Sequence, residues 1–173
     1  VIPKLNKYHE HSKTKINFSK VTNDMLDVPN FSHKIENAPS IFISNEKEIV
    51  DQFVYYNVTW CYNNLGYRTD IETTPEIDWS FKNKDMQKTG VLGYYHHDQN
   101  FIELRIQGHR TWVNLSNTII HEWIHYLQSS LWYSRYSNVY KYDKNPYEIM
   151  AQHYAAVNCN KCANFCWRKI KNE

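Results

Sequence analysis

His121-Glu122-Trp123-Ile124-His125 sets two imidazoles four residues apart, with a carboxylate next to the first of them. On a helix, residues four apart lie one turn above each other on one face, so both rings can take adjacent corners of one tetrahedral metal site. Glu122 falls about 100° around the helix from His121, from where its carboxylate reaches a metal-activated water instead of the metal. Zinc is the ion this pattern predicts. It lowers the pKa of water to near 7 and polarises a carbonyl, while the Glu takes the proton and later delivers it to a leaving amine. The chemistry is hydrolysis of a peptide bond by water, with Glu122 as general base and no covalent enzyme intermediate. The alternative is that the three residues decorate an exposed helix face. Their place inside an amphipathic, capped stretch preceded by a strand favours the site.

A catalytic zinc takes three protein ligands and leaves one position open, so a third ligand comes from elsewhere in the chain. The longer H-E-x-x-H-x-x-G-x-x-H pattern needs Gly at 128 and His at 131. Gln128 and Leu131 stand there, which excludes it. Glu148, in Asn145-Pro146-Tyr147-Glu148-Ile149-Met150-Ala151-Gln152-His153-Tyr154-Ala155, ranks first. Ala151 and Ala155 follow at helical spacing and keep that side of the helix small enough to approach the motif helix closely. Glu148 is also the third residue after Asn145, where it could instead close a capping box. His153, on a different face from the two alanines, is the rival ligand.

These residues resemble the zincin metallopeptidases, and within them the small gluzincin-like proteins whose third ligand is a Glu in an E-x-x-A helix. Glu148, Ala151 and Ala155 are similar to the E-x-x-A-x-x-x-A pattern of the ImmA and IrrE group and of phage-encoded minimal gluzincins. The resemblance covers about residues 90 to 156. It implies His121, His125 and Glu148 as ligands, Glu122 as base, and a substrate lying along the strand before the motif helix, by position Phe101 to Ile106. Proteins similar to SprT use three His, which keeps His153 in contention.

The elements that position these groups read as an α+β domain: a small mixed sheet, a backing helix, the motif helix and the Glu148 helix. Residues 1 to about 38 are polar and without period, an extended arm or irregular lead-in, and the resemblance implies one zincin-like domain over 39–173. Ser40-Ile41-Phe42-Ile43-Ser44 reads as a strand. Asn45 with Glu48 then opens a helix towards Asn64, stopped by Gly66, with Ile49, Phe53, Tyr56 and Trp60 on its inner face. This is the helix expected to back the sheet. Glu76 to Phe81 alternates like a strand, and Val91–Tyr95 with Phe101–Ile106 form a hairpin around residues 97–100, burying Ile102, Leu104 and Ile106. Capping residues at Leu115-Ser116-Asn117-Thr118 start the motif helix, which runs to about Tyr133 with Ile120, Trp123, Ile124, Leu127 and Leu131 at its apolar positions. Asn145-Pro146 opens a last helix through about Ala163.

Other groups carry less specific signals. Cys159, Cys162 and Cys166 share a helix side and could bind a structural metal with Cys61 or His153, pair as a disulfide, or pack as small apolar residues. Tyr133, Tyr136, Tyr140, Tyr142 and Tyr147 lie between the ligand segments, where a phenol could stabilise an oxyanion; His96, His97 and His109 could do so from the sheet side. Against such roles stand packing and simple exposure.

The 20 basic and 18 acidic residues of the 173 leave no one-signed field, so nucleic acid is not an expected partner; a protein or peptide substrate is. No run is long enough to span a membrane, and residues 1–7 lack the apolar core of a secretion signal; the compartment stays open. Fourteen Tyr and six Trp against four Gly, with Asn, Lys and Ile also frequent, is a composition favoured by AT-rich genomes, many phage and viral ones among them. The second reading is a structural or virion-associated binding protein that keeps a metal-stabilised zincin fold with little turnover.

Overall fold

A computed structural model describes residues 12–14, 16–18, 20–27 and 46–172. Along the chain run β1 (Ser12–Lys13), a 3-10 turn (Asn23–Leu26), α1 (Lys47–Asn64), β2 (Tyr67–Arg68), β3 (Glu76–Ser80) and α2 (Lys84–Thr89). They are followed by β4 (Gly93–His96), β5 (Phe101–Arg105), α3 (Trp112–Leu127), α4 (Ser130–Val139), a second 3-10 turn (Tyr142–Lys144) and α5 (Pro146–Ile170). The class is α+β. The strand expected at 40–44 and the Asn45 half of the capping box lie outside the described residues. None of the described helices is long and apolar enough to cross a membrane.

Three short polar side chains set the helix starts that matter. Thr111 Oγ1 accepts from the Asn114 N–H at 3.1 Å, so α3 begins before the capping cluster expected at 115–118. Ser129 Oγ accepts from the Trp132 N–H at 3.4 Å and opens α4, so α3 stops at Leu127 instead of continuing to Tyr133. Leu131, expected on the apolar face of the motif helix, stands on α4 and is 45% exposed. Asn145 Oδ1 accepts from the Tyr147 N–H at 3.0 Å ahead of Pro146, as expected, but α5 runs on to Ile170.

β5 is the middle of a three-stranded sheet, parallel to β3 and antiparallel to β4. Its Ile102 and Leu104 are fully buried, the alternation read from sequence. The helix that backs this sheet is α3, not α1: α3 lies on β4 and β5 and, on its far side, runs along α5. α1 packs mainly on α5, and reaches the sheet through Trp79 Nε1 donating to Asp51 Oδ1 at 2.8 Å. Its buried face is Val50, Phe53, Val54, Asn57, Trp60 and Cys61, turned slightly from the expected one so that Ile49 and Tyr56 are only half-buried. Within the stretch read as an arm, β1 pairs with β2 and Phe18 is fully buried with its ring edge-on to Tyr147. Gly66, at φ +103°, lets β1 pass: a Cβ there would sit 1.9 Å from the Lys13 carbonyl oxygen.

Candidate metal centre

α3 brings its last two turns against the first turn of α5, and this contact assembles the site. Ala151 and Ala155 are fully buried, so no bulky side chain holds α5 away from α3 at the level of the motif. His121 Nε2 then lies 3.1 Å from His125 Nε2 and 3.1 Å from Glu148 Oε2, while His125 Nε2 lies 3.1 Å from Glu148 Oε1. The three residues are grouped so that their ligand atoms fall within 4.8 Å of one another. Tetrahedral bonds of about 2.0–2.1 Å set corner-to-corner distances of roughly 3.3–3.4 Å, close to the 3.1 Å between the two ring nitrogens, and two imidazoles with a carboxylate are the donor chemistry of a small divalent-ion site. The residues present fit a metal.

Electrostatics agree with the geometry. Burial alone would raise the Glu148 carboxyl, but hydrogen bonds from His121 and His125 outweigh it and hold the group well below the usual carboxylate range. Burial likewise opposes charge on His125, yet Glu148, with help from Glu122, pushes that ring above the ordinary His value. The carboxylate thus draws positive charge into a buried place, a proton in the metal-free protein. Glu148 does not close a capping box: its carboxylate is taken by the two rings and by Tyr133, and the Asn145 N–H donates to the Tyr142 carbonyl.

Glu122 is held beside the triad and not in it. Its Oε2 accepts the Tyr95 N–H at 3.0 Å, and it shares a cavity of about 210 Å³ with His121, His125 and Glu148. The close approach of β4 depends on Gly93, where a Cβ would lie 2.6 Å from Thr118 Cγ2 and 3.2 Å from Glu122 Cγ. The Leu92 carbonyl bonds β5 at Arg105, so alternation turns the Gly93 and Tyr95 backbone groups away from β5 and towards α3. The strand alongside the site is therefore β4, not the expected Phe101 to Ile106. β5 is paired on both sides and offers no free edge.

The Tyr133 phenol reaches the triad. Its OH donates to Glu148 Oε1 at 2.7 Å, its ring meets His125 edge-on at 5.2 Å, and burial followed by the Glu148 charge raises it far above the ordinary phenol range. Tyr142 also lines the cavity, whereas Tyr136 and Tyr147 are buried in the core and Tyr140 is on the surface. His97 lines the cavity, its pKa lowered by burial and by His125. His96 pairs with Glu103 at 3.4 Å, and His109 bonds the Ile106 carbonyl and Thr118, away from the metal cavity. His153 is not in the ligand group; its ring contacts Tyr154.

Gln128 is the residue that spacing did not reveal. Its Oε1 lies 2.8 Å from His125 Nδ1, which fixes that nitrogen as the N–H donor and leaves Nε2 to face the triad. The four cysteines are buried free thiols and form no ligand group among the described residues. Burial, then the Cys162 sulphur, pushes Cys61 and Cys166 well above the usual thiol range, so these two stay protonated, as packing groups do.

No protein-family model, curated protein or solved structure matches this chain.

Proposed function

We propose that the chain is a zinc-dependent peptide hydrolase of the zincin type, with His121, His125 and Glu148 as the metal ligands and Glu122 as the general base. One observation carries the reading: two imidazoles and a buried carboxylate joined by 3.1 Å contacts, next to a second carboxylate held off them by a backbone N–H. Structural zinc sites close all four positions with protein groups, whereas three ligands facing a cavity leave room for a reacting water and a substrate. Zinc held there supplies Lewis acidity, acidifying water towards neutral pH and polarising an amide carbonyl.

The chain's own groups do the rest. Glu122, fixed by Tyr95, takes a proton on the cavity side and returns it to the leaving nitrogen. Tyr133 keeps its proton and holds Glu148 Oε1, and the outward backbone of β4 offers an edge along which an extended peptide can pair. His97 and Tyr142 line the cavity, and we assign them as donors to a carbonyl oxygen gaining charge.

The test compares zinc-loaded wild type with Glu122→Gln. The variant retains fold and zinc and loses peptide hydrolysis by about three orders of magnitude or more, the scale of a lost acid–base step. Equal hydrolysis by the two proteins removes the mechanism. Full zinc occupancy with no hydrolysis by either points to a metal-stabilised binding protein.

A further inference from the structure

Past the metal cavity the cleft widens. A hollow of about 670 Å³ opens between the hairpin tip and α4, sharing Tyr94 and His97 with the metal cavity. Its strand wall is a run of rings. Tyr94 meets His96 edge-on at 4.8 Å, and His96 stacks on Phe101 at 4.1 Å with 11° between planes. The run follows from the sheet: Tyr94 and His96 are two apart on β4 and share a face, and His96 stands opposite Phe101 in the register. Across the hollow is Leu131, on the first turn of α4. Tyr94 is 54% exposed and Leu131 45%, so two large apolar groups face water from opposite walls of one groove. Among the described residues no Lys or Arg lines it, and its one carboxylate is Asp98.

We propose that this hollow is a specificity subsite for a bulky aromatic side chain of the substrate, stacked on the Tyr94, His96 and Phe101 wall and covered by Leu131. The inference rests on the peptide-hydrolysis reading for what the substrate is, but not for whether the subsite binds. An extended peptide advances about 3.3 Å per residue, so a hollow that adjoins the metal cavity takes a side chain near the scissile bond but not at it. Offset or edge-on contact with three rings, together with burial against Leu131, favours an aromatic group over a methyl by at least about tenfold in binding. A lysine would find one rim carboxylate and gain little.

The experiment is calorimetric titration of zinc-loaded Glu122→Gln, which leaves peptides intact, with six acetylated, amidated hexa-alanine peptides carrying one Phe at successive positions. The all-alanine peptide and a Lys series are the controls. One Phe position binds at least about tenfold tighter than alanine, while Lys there matches alanine. The advantage drops below about threefold in Phe101→Ala, and also in Leu131→Ser, which changes only an exposed residue and guards against a folding defect. No favoured Phe position, an equal gain from Lys, or an advantage that survives both substitutions overturns the subsite. Hydrolysis of the same peptides by wild type is read separately. Selective binding without cleavage keeps the subsite and removes the peptidase; cleavage without selectivity does the reverse.

Discussion

Gln128 joins His125 to the first turn of α5: its Oε1 is 2.8 Å from His125 Nδ1 and its Nε2 donates to the Tyr147 carbonyl at 3.1 Å. One fully buried side chain therefore orients a ligand on α3 and fixes the height of the helix that carries Glu148. Gln128→Ala is expected to weaken zinc binding by about 10- to 100-fold and, by leaving the buried His125 Nδ1–H without its acceptor, to lower stability by about 1–3 kcal/mol. Gln128→Glu retains the acceptor for His125 but not the donor for Tyr147, so it keeps more of the zinc affinity than of the stability. Chelator competition and urea unfolding separate the two effects.

Glu148→Gln preserves shape and removes the charge that draws cations into the site. Zinc affinity should fall by about 100-fold or more, beyond what loss of a supporting hydrogen bond produces. A competitive titration showing wild-type affinity would return Glu148 to a packing role.

Tyr133→Phe deletes the bond to Glu148 Oε1 and leaves the ring against His125. Zinc affinity is expected to fall by about tenfold with the fold intact, measured by the same titration alongside circular dichroism.

Metal binding should depend on pH with a definite sign. His125 titrates above its ordinary value, so its proton competes with zinc; affinity rises with pH until that proton is gone, and binding near neutral pH releases protons. In the metal-free protein the raised His125 value contributes stability that is present below about pH 6.5 and lost as pH climbs through the folded value. The depressed Glu148 value contributes stability present above about pH 4.5 and lost on acidification. The metal-free protein therefore gains most from this pair in mildly acid solution, and zinc moves the advantage to neutral and alkaline pH. Thermal melts with and without zinc from pH 4.5 to 9 test the crossing.

Gly93→Ala forces a methyl into Thr118 and Glu122. Stability should drop by about 1–3 kcal/mol, and hydrolysis should fall further than zinc affinity, because the displaced group is the base and not a ligand. Steady-state kinetics at saturating zinc check the split.

The motif was legible because its geometry is local: four residues on one helix fix where two rings point. Glu148 was half legible, since the sequence offered it as ligand or cap and only the α3–α5 contact decides which atoms its oxygens meet. The break after Leu127 was hidden because α4 starts at once and Leu131 continues the apolar rhythm, although Ser129 is a capping residue in plain view. The role of β4 was out of reach. Which strand is the edge depends on β3 pairing in parallel with β5 past the intervening α2 and β4, and the group that holds Glu122 is a backbone N–H, which has no letter in a sequence.

The Tyr95–Glu122 hydrogen bond is also expected to limit self-association in a crowded solution. β4 is a sheet edge, and an edge with free N–H groups recruits strands from other copies. Glu122 stoppers one N–H of that edge, at Tyr95, from within the molecule. Glu122→Gln keeps an acceptor at the same place, whereas Glu122→Ala uncorks it, so the alanine variant should be the one that self-associates and precipitates on concentration.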